Sequence, residues 1–153
     1  MYVGGLDIGT SGCKIALYDE NGNFVKSSYK EYDVKRFSGL HEIDAAEIFE
    51  SVKSVIKSFC EKEIAAIAVT SFGETFTMLD ESDAVCAPSM LYTDPRGRDE
   101  CKELSETFGE ENLARITGTK PHEMYSIAKI LWIKRNMPEN FKKARRILLM
   151  QDY

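Results

Sequence analysis

Residues 5–14 have the sequence Gly-Leu-Asp-Ile-Gly-Thr-Ser-Gly-Cys-Lys, in which an acid is followed by closely spaced glycines and hydroxyl residues. It closes an apolar run that begins at Tyr2, and a second apolar run resumes at Lys14. A strand, a Gly-rich turn and a second strand are therefore predicted. This order differs from a Walker loop, in which the Gly-rich segment opens a helix.

A third strand is predicted from Phe24 to about Tyr32, after a tight turn. The turn contains Asn21-Gly22, a pair that supplies the positive φ of a hairpin. The three strands together form an antiparallel meander, and the polar composition of the third strand indicates a solvated face or an edge.

An amphipathic helix and a continuous apolar run follow the meander. Asp44 is predicted to cap the helix, with Glu47 as its capping-box partner. Seven apolar residues recur behind the cap at helical spacing, and these are Ala45, Ile48, Phe49, Val52, Val55, Ile56 and Phe59. Because both faces of the run at 64–69 are apolar, it predicts a buried, parallel, central strand on which the helix packs.

The second half of the chain is predicted to be mainly helical. A hairpin comes first, with strands at 75–79 and about 84–91 around an acidic turn. Helices are expected at 98–108, 110–116, 127–135 and about 139–144, before a strand-like segment at 147–150. The whole order indicates an α/β fold whose mixed sheet has an antiparallel β1-β2-β3 meander followed by a helix and a parallel strand.

Length and composition exclude several classes of protein. The 153 residues suffice for one compact domain, and the net charge of −5 gives no support for nucleic-acid binding. There is no apolar stretch of membrane-span length and no signal-peptide pattern at the N-terminus. The four cysteines, Cys13, Cys60, Cys86 and Cys101, form no C-x-x-C pair, which favours reduced thiols over a zinc site. We therefore expect a cytoplasmic protein with no nucleic-acid or membrane partner.

The first turn carries residues suited to a nucleotide phosphate. Gly9 and Gly12 let backbone N–H groups approach an anion, Thr10 and Ser11 add hydroxyl donors, and Lys14 adds positive charge. Asp7 stands just before the turn, where a carboxylate can hold Mg²⁺. A simple tight turn beside an acid would explain the same residues. The phosphate interpretation is favoured because the meander, the helix and the apolar strand all agree with it.

The stretch at 5–14 resembles the first phosphate motif of the sugar-kinase, Hsp70 and actin superfamily. Five further segments are similar to FGGY carbohydrate kinases in order and spacing, at 68–75, 90–96, 116–118, 129–132 and 146–153. Residues 1–153 thus resemble the N-terminal portion of the first actin-like (ribonuclease H-like) domain of these kinases. The resemblance implies an incomplete fold, in which the rest of that domain and the whole second domain are absent.

The resemblance also implies a function. It is ATP-dependent phosphorylation, with Mg²⁺, of a hydroxyl on a sugar or polyol, for example a ketose such as xylulose or a related pentulose or deoxyhexulose. The family's general-base Asp lies downstream of residue 153, so no catalytic residue is expected here and the chain alone is expected to be inactive. The resemblance is also compatible with a homodimer of the full-length enzyme. The competing hypothesis is a non-catalytic actin- or Hsp70-like nucleotide-binding module.

The resemblance assigns sugar contacts to Phe72, Gly73, Glu74 and Tyr92. Glycerol kinases have Arg in place of Gly73 and Trp in place of Tyr92, and typical xylulose kinases have Met-His in place of Gly73-Glu74. The Phe-Gly pair is more similar to rhamnulose and fuculose kinases, so the sugar is left open. A carboxylate at Glu74 can accept two hydroxyl hydrogen bonds, although a solvated Glu at the start of a hairpin is the alternative.

Four other residues are assigned structural roles. Asp94 and Arg96 are predicted to form a structural ion pair or a helix cap rather than a catalytic pair. Trp132 lies in a helical apolar stripe and is predicted to be core. His41 has no partner at useful spacing and is predicted to lie in a surface loop.

Overall fold

The computed structural model describes residues 1–59 and 63–153. In chain order the elements of these ranges are β1 (Tyr2–Ile8), β2 (Gly12–Asp19), β3 (Phe24–Glu31), β4 (Val34–Phe37), β5 (Leu40–Ile43), α1 (Ala45–Lys57), β6 (Ile64–Ser71), β7 (Phe76–Leu79), β8 (Ser89–Met90), α2 (Arg98–Phe108), α3 (Glu110–Thr117), α4 (Ser126–Asn136), α5 (Pro138–Lys143) and β9 (Arg146–Leu149). The first unit contains Met1–Val34, Asp44–Gly73 and Met150–Tyr153, and the second contains Lys35–Ile43 and Glu74–Leu149.

The sheet of the first unit has the strand order β3-β2-β1-β6. β1 and β2 are antiparallel, β2 and β3 are antiparallel, and β1 and β6 are parallel. The predicted meander and the parallel strand after the helix are therefore confirmed. Alternate side chains of β1 and β2 are buried on one face, including Leu6, Ile8, Ile15 and Leu17, and α1 packs against β2 and β3.

The start of α1 is capped as predicted. Oδ1 of Asp44 accepts hydrogen bonds from the backbone N–H groups of Ala46 at 3.1 Å and Glu47 at 3.2 Å. These bonds satisfy amide groups that have no partner inside the helix. The hairpin turn before β3 is also confirmed, with Gly22 at φ 80°.

The prediction of a buried, central β6 is wrong in both respects, and only its parallel direction is correct. The strand is parallel to β1, but it stands at the end of the sheet order. Its residues from Ala65 to Thr70 are all exposed. Two apolar faces normally indicate cover on both sides, and the described residues supply no second neighbouring strand to β6.

A groove of apolar side chains lies beside β6 in the first unit. Its walls come from β1, α1, β6 and the last residues of the chain, including Leu6, Val52 and Val69. The rings of Phe49 and Tyr153 lie 5.5 Å apart at their centroids. The apolar stripe of α1 is therefore buried only in part, because Ile48 and Val55 are buried while Phe49 is exposed.

The open edge of β6 predicts self-association of the 153-residue chain. An exposed apolar strand edge offers unpaired backbone groups to another chain. Ala68→Lys places a charge on that edge, and we expect it to lower the average mass seen by light scattering at high protein concentration. Ala46→Lys makes the same change at an exposed position of α1 and is expected to behave as wild type. A wild-type mass that stays monomeric at every concentration would contradict the prediction.

The second unit contains two small sheets, with strand orders β4-β5-β8 and β7-β9. The predicted hairpin is only partly correct. A bridge joins Leu79 to Val85 as a hairpin would, but the ladder partner of β7 is β9, with Phe76 opposite Leu149. The pairing with β9 was missed because nothing local in the sequence indicates it.

The β4-β5 hairpin was not predicted either. Its turn places Ser38 at φ 49° and Gly39 at φ 79°, both in the left-handed region that a tight two-residue turn requires. The Ser-Gly pair was the available signal. In chain order, this strand pair therefore follows the meander and precedes α1.

The helices follow the prediction closely, with ends that agree within one or two residues. Pro138 begins α5, as its fixed φ allows at a first helical position. Phe76, Met78, Met90 and Ile133 form the core of this unit, and Trp132 packs against it as predicted. Among the described residues, no helix combines the length and apolar character needed to cross a membrane.

Candidate nucleotide and substrate site

The predicted phosphate residues lie together on the turn that joins β1 to β2. The Gly9 amide donates to the Gly12 carbonyl oxygen at 2.9 Å, which closes a hairpin with Thr10 and Ser11 at its tip. Ser11 is exposed, and Gly9 and Thr10 are half-buried. The predicted turn between two strands is therefore confirmed.

Two side chains of opposite charge face each other across this hairpin. Asp7 is directly opposite Lys14 in the antiparallel register, and both are exposed. Thr70 of β6 is opposite Asp7 in the parallel register and is also exposed. Because residues in register point to the same face, Lys14, Asp7 and Thr70 form a polar row on the open face of the sheet. Thr70 was not predicted as a site residue.

The turn leaves little space for side chains. A Cβ added to Gly9 would lie 3.3 Å from the Gly12 carbonyl oxygen, and one added to Gly12 would lie 2.4 Å from the Tyr29 hydroxyl. Both positions thus bring backbone close to neighbouring groups.

A Gly-lined turn with hydroxyls at its tip and a carboxylate and an ammonium beside it is a donor set that fits a magnesium-bound phosphate. In the described part of the chain, no cluster of three or more His, Cys, Asp or Glu side chains is arranged to hold a metal ion. One carboxylate at Asp7 suits Mg²⁺, which keeps most of its ligands as waters and phosphate oxygens.

The predicted sugar segment begins at the same edge of the sheet. Ile8 is in register with Ser71, so β1 and β6 end side by side. The turn starting at Gly9 follows β1, and Phe72 and Gly73 follow β6. Phe72 is half-buried and Gly73 is exposed. Open α/β sheets present ligand-binding groups at the carboxyl ends of parallel strands, and Phe72 and Gly73 lie at such an end.

The other two predicted sugar residues, Glu74 and Tyr92, belong to the second unit. The Glu74 backbone carbonyl accepts a hydrogen bond from the Ser126 hydroxyl at 2.6 Å, which fixes the chain after Gly73. Tyr92 is 47% exposed and lies in a turn closed by a 2.9 Å bond from the Asp94 amide to the Leu91 carbonyl. Its ring is therefore presented to solvent by an ordered backbone.

The turn with Tyr92 is held by a buried carboxylate. Asp94 is 1% exposed, and its oxygens accept bonds from the His41 amide at 2.8 Å and the Arg96 amide at 3.0 Å. The Arg96 guanidinium adds two further bonds, at 2.8 and 2.6 Å. Burial by itself raises the pKa of Asp94, but these hydrogen bonds outweigh it and hold the pKa below the usual value. The predicted structural pairing of Asp94 and Arg96 is confirmed.

Two more charged side chains complete this cluster. Arg96 also pairs with Glu42 at 2.7 Å, and its guanidinium lies 5.2 Å from the centroid of the Trp132 ring. Lys129 is fully buried and donates to the backbone carbonyls of Asp94 at 2.6 Å and Arg96 at 3.2 Å. Burial lowers the pKa of Lys129. The cluster joins β5, the Tyr92 turn and α4 within the second unit.

The prediction that His41 lies in a surface loop is wrong. His41 belongs to β5, and its Nδ1 lies 2.8 Å from the Thr93 hydroxyl oxygen. The sequence could not show this contact because the two residues are 52 positions apart. His41 therefore supports the residue next to Tyr92.

The thiols of the described residues are free. These cysteines are Cys13, Cys86 and Cys101. Burial raises the pKa of the Cys13 thiol. Cys60 lies outside the described residues.

A comparison with protein families covers nearly the whole chain. The FGGY family of carbohydrate kinases, N-terminal domain, matches residues 2–153. The chain belongs to the FGGY family. The predicted resemblance is thereby confirmed, and the match extends over every segment that suggested it.

Relatives of this FGGY chain include kinases for different substrates. It is 31% identical over 159 residues to the xylulose kinase of Lactococcus lactis subsp. lactis (strain IL1403), an alignment that covers 99% of the chain and 32% of that enzyme. It is 28% identical over 157 residues to the gluconokinase of Bacillus subtilis (strain 168), covering 99% of the chain and 31% of the relative. The FGGY chain thus spans about a third of the length of these relatives.

A solved structure gives the same result for the fold. The xylulose kinase from Rhodospirillum rubrum matches the FGGY chain with a TM-score of 0.94 and 26% sequence identity, covering 100% of the chain and 33% of that protein. The predicted α/β fold, part of an actin-like (ribonuclease H-like) domain, is confirmed.

Proposed function

We propose that the intact protein transfers the γ-phosphoryl group of ATP to a hydroxyl of a small sugar or polyol, such as xylulose or a related ketose. The observation that carries this proposal is the placement at one sheet edge of two elements. One is the Gly9–Gly12 turn, with Asp7 and Lys14 beside it, and the other is the Phe72-Gly73 segment. The names of the relatives support a sugar or polyol as the acceptor.

Residues 1–153 form the N-terminal portion of the first domain of a longer kinase in this proposal. The family match to an N-terminal domain and the coverage of about a third of each relative support it. The general-base Asp implied by the resemblance then belongs to the remainder of the protein. The ATP requirement and the free thiols favour the cytoplasm as its compartment.

Each site residue receives a defined role. The turn residues Gly9, Thr10, Ser11 and Gly12 would contact the phosphates through backbone and hydroxyl donors, and Lys14 would offset their charge. Asp7 would hold Mg²⁺. Bound MgATP supplies the transferable phosphoryl group and the cation that partly neutralises it.

The sugar contacts follow from the resemblance. Phe72, Gly73, Glu74 and Tyr92 are proposed to bind the substrate. The Glu74 carboxylate accepts hydrogen bonds from neighbouring hydroxyls, and the Tyr92 ring contacts the C–H surface of the sugar. Because the reaction depends on alignment, a fixed sugar is as important as a fixed phosphate.

A kinase assay of the intact protein tests this function. ADP release is measured with xylulose, ribulose, rhamnulose, fuculose, gluconate and glycerol as acceptors, and we expect acceptor-dependent release with at least one. Asp7→Asn is expected to lower kcat/KM about 100-fold, because it removes the charge that holds the metal. Asp33→Asn, at an exposed position of the same unit, is the matched control and should retain full activity.

Two results would count against the proposal. Nucleotide binding without turnover of any acceptor would favour the non-catalytic actin- or Hsp70-like module. Full activity of Asp7→Asn would remove the metal role of Asp7 while leaving the kinase assignment intact.

A further inference from the structure

The phosphate turn is held from outside by a tyrosine of the region after β3. The Tyr32 hydroxyl donates to the Gly9 carbonyl oxygen at 2.6 Å, and the Tyr32 backbone amide donates to the Ser11 carbonyl oxygen at 3.3 Å. Tyr32 is 5% exposed. One residue therefore fixes two of the turn's carbonyl groups, although it is 23 positions from Gly9 in sequence.

These two bonds determine where the amides of the turn point. In a planar trans peptide unit, the N–H is directed opposite the C=O. The Gly9 carbonyl shares its peptide unit with the Thr10 amide, and the Ser11 carbonyl shares its unit with the Gly12 amide. Since Tyr32 holds both carbonyls, it directs the amides of Thr10 and Gly12 to the other side.

The same bonds keep carbonyl oxygens away from an anion. A phosphate beside the turn would be repelled by the partial negative charge of any carbonyl that rotated toward it, and attracted by the amides. Burial raises the pKa of the Tyr32 phenol, so the hydroxyl keeps its proton and remains a donor near neutral pH. The hydroxyl of neighbouring Tyr29 also donates to the Ser11 carbonyl oxygen, but this bond is longer, at 3.4 Å, and Tyr29 is exposed.

We propose that Tyr32 is a positioning residue for nucleotide binding, which orients the Thr10 and Gly12 amides toward the phosphates through its bonds to the Gly9 and Ser11 carbonyls. This inference rests on the proposed function. It assigns no contact between Tyr32 and the nucleotide.

The test is Tyr32→Phe in the intact protein, which removes the hydroxyl and keeps the ring. We expect the KM for MgATP to rise about tenfold, the size expected for one lost hydrogen bond of this kind. The KM for the sugar and the melting temperature should remain close to wild type. Tyr18→Phe, at an exposed position of β2, is the control and should leave all three values unchanged.

A second measurement needs no nucleotide. Hydrogen exchange of the Gly9 amide reports whether its bond to Gly12 stays closed, and Tyr32→Phe is expected to make this exchange at least severalfold faster. Tyr32→Leu removes the ring as well. If Leu but not Phe raises the KM for MgATP, ring packing is what matters and the inference is overturned.

The failure of this inference differs from the failure of the proposed function. Wild-type protein that uses no acceptor would refute the kinase function and this inference with it. An active wild type together with a Tyr32→Phe variant of unchanged KM and unchanged Gly9 exchange would overturn the inference alone.

Discussion

Replacing Asp94 with Asn is expected to lower the free energy of unfolding by about 3 kcal/mol at pH 7, because it leaves buried cations without their carboxylate. Arg96 loses two charge-assisted bonds, and Lys129 loses a nearby opposite charge. Urea unfolding followed by circular dichroism measures the change. In the intact protein the same variant should also raise the KM for the sugar, since Asp94 holds the turn that presents Tyr92.

The loss of unfolding free energy in Asp94→Asn should depend on pH in a defined direction. The pKa of Asp94 is lowered in the folded protein, so its contribution is present above the unfolded value of about 3.9 and is lost as the pH falls through the lower folded value. The stability curves of wild type and Asp94→Asn should therefore be well separated from about pH 5 upward. They should converge in stronger acid.

A surface acid provides the control for this prediction. Glu106 pairs with Lys102 at 3.8 Å, but both side chains are mostly exposed. Glu106→Gln is expected to change stability by less than about 0.5 kcal/mol. An Asp94→Asn variant that is as stable as Glu106→Gln at pH 7 would show that the buried cluster contributes nothing to stability.

Gly97→Ala is expected to destabilise the protein by about 3 kcal/mol or more, through backbone strain and a steric clash together. Gly97 has φ 97°, and an added Cβ would lie 2.9 Å from the Ala128 carbonyl carbon and 3.0 Å from the Lys129 amide nitrogen. These are backbone atoms of α4, so no side-chain rotation relieves the contact. Thermal and urea unfolding measure the loss.

Gly118→Ala separates the two causes. Gly118 has φ 76°, but a Cβ there would meet no atom within 4 Å. We expect a loss of about 1 kcal/mol, from backbone strain alone. Equal losses for the two variants would mean that α4 moves aside without cost, which is contrary to the packing described.

The elements predicted correctly from sequence depend on local signals. The β1-β2 turn follows from adjacent small residues, the α1 cap from Asp44 and its neighbours, and the Asp94–Arg96 pair from two residues that are two positions apart. In each case the residues that determine the geometry lie within one turn or hairpin of one another. Chain connectivity alone brings them together.

The features that were not predicted depend on contacts between residues that are far apart in the sequence. Lys129 reaches the Asp94 carbonyl across 35 positions, and the Tyr32 hydroxyl reaches Gly9 across 23. β7 pairs with β9 rather than mainly with its near neighbour. The exposure of β6 could not be predicted either, because an apolar run indicates only what a strand is able to bury and not which neighbours are present.

The order of segments in the first unit affects how the protein is made. Residues 74–149 of the second unit separate Gly73 from Met150, whose buried side chain lines the groove beside β6. At a synthesis rate of about 5–20 residues per second, Met150 is added about 4–15 s after Gly73. During that interval the nascent meander and α1 lack the segment that contributes Met150 to the groove, so apolar side chains of this groove, such as Val52 and Val69, are more exposed in the growing chain than in the folded protein.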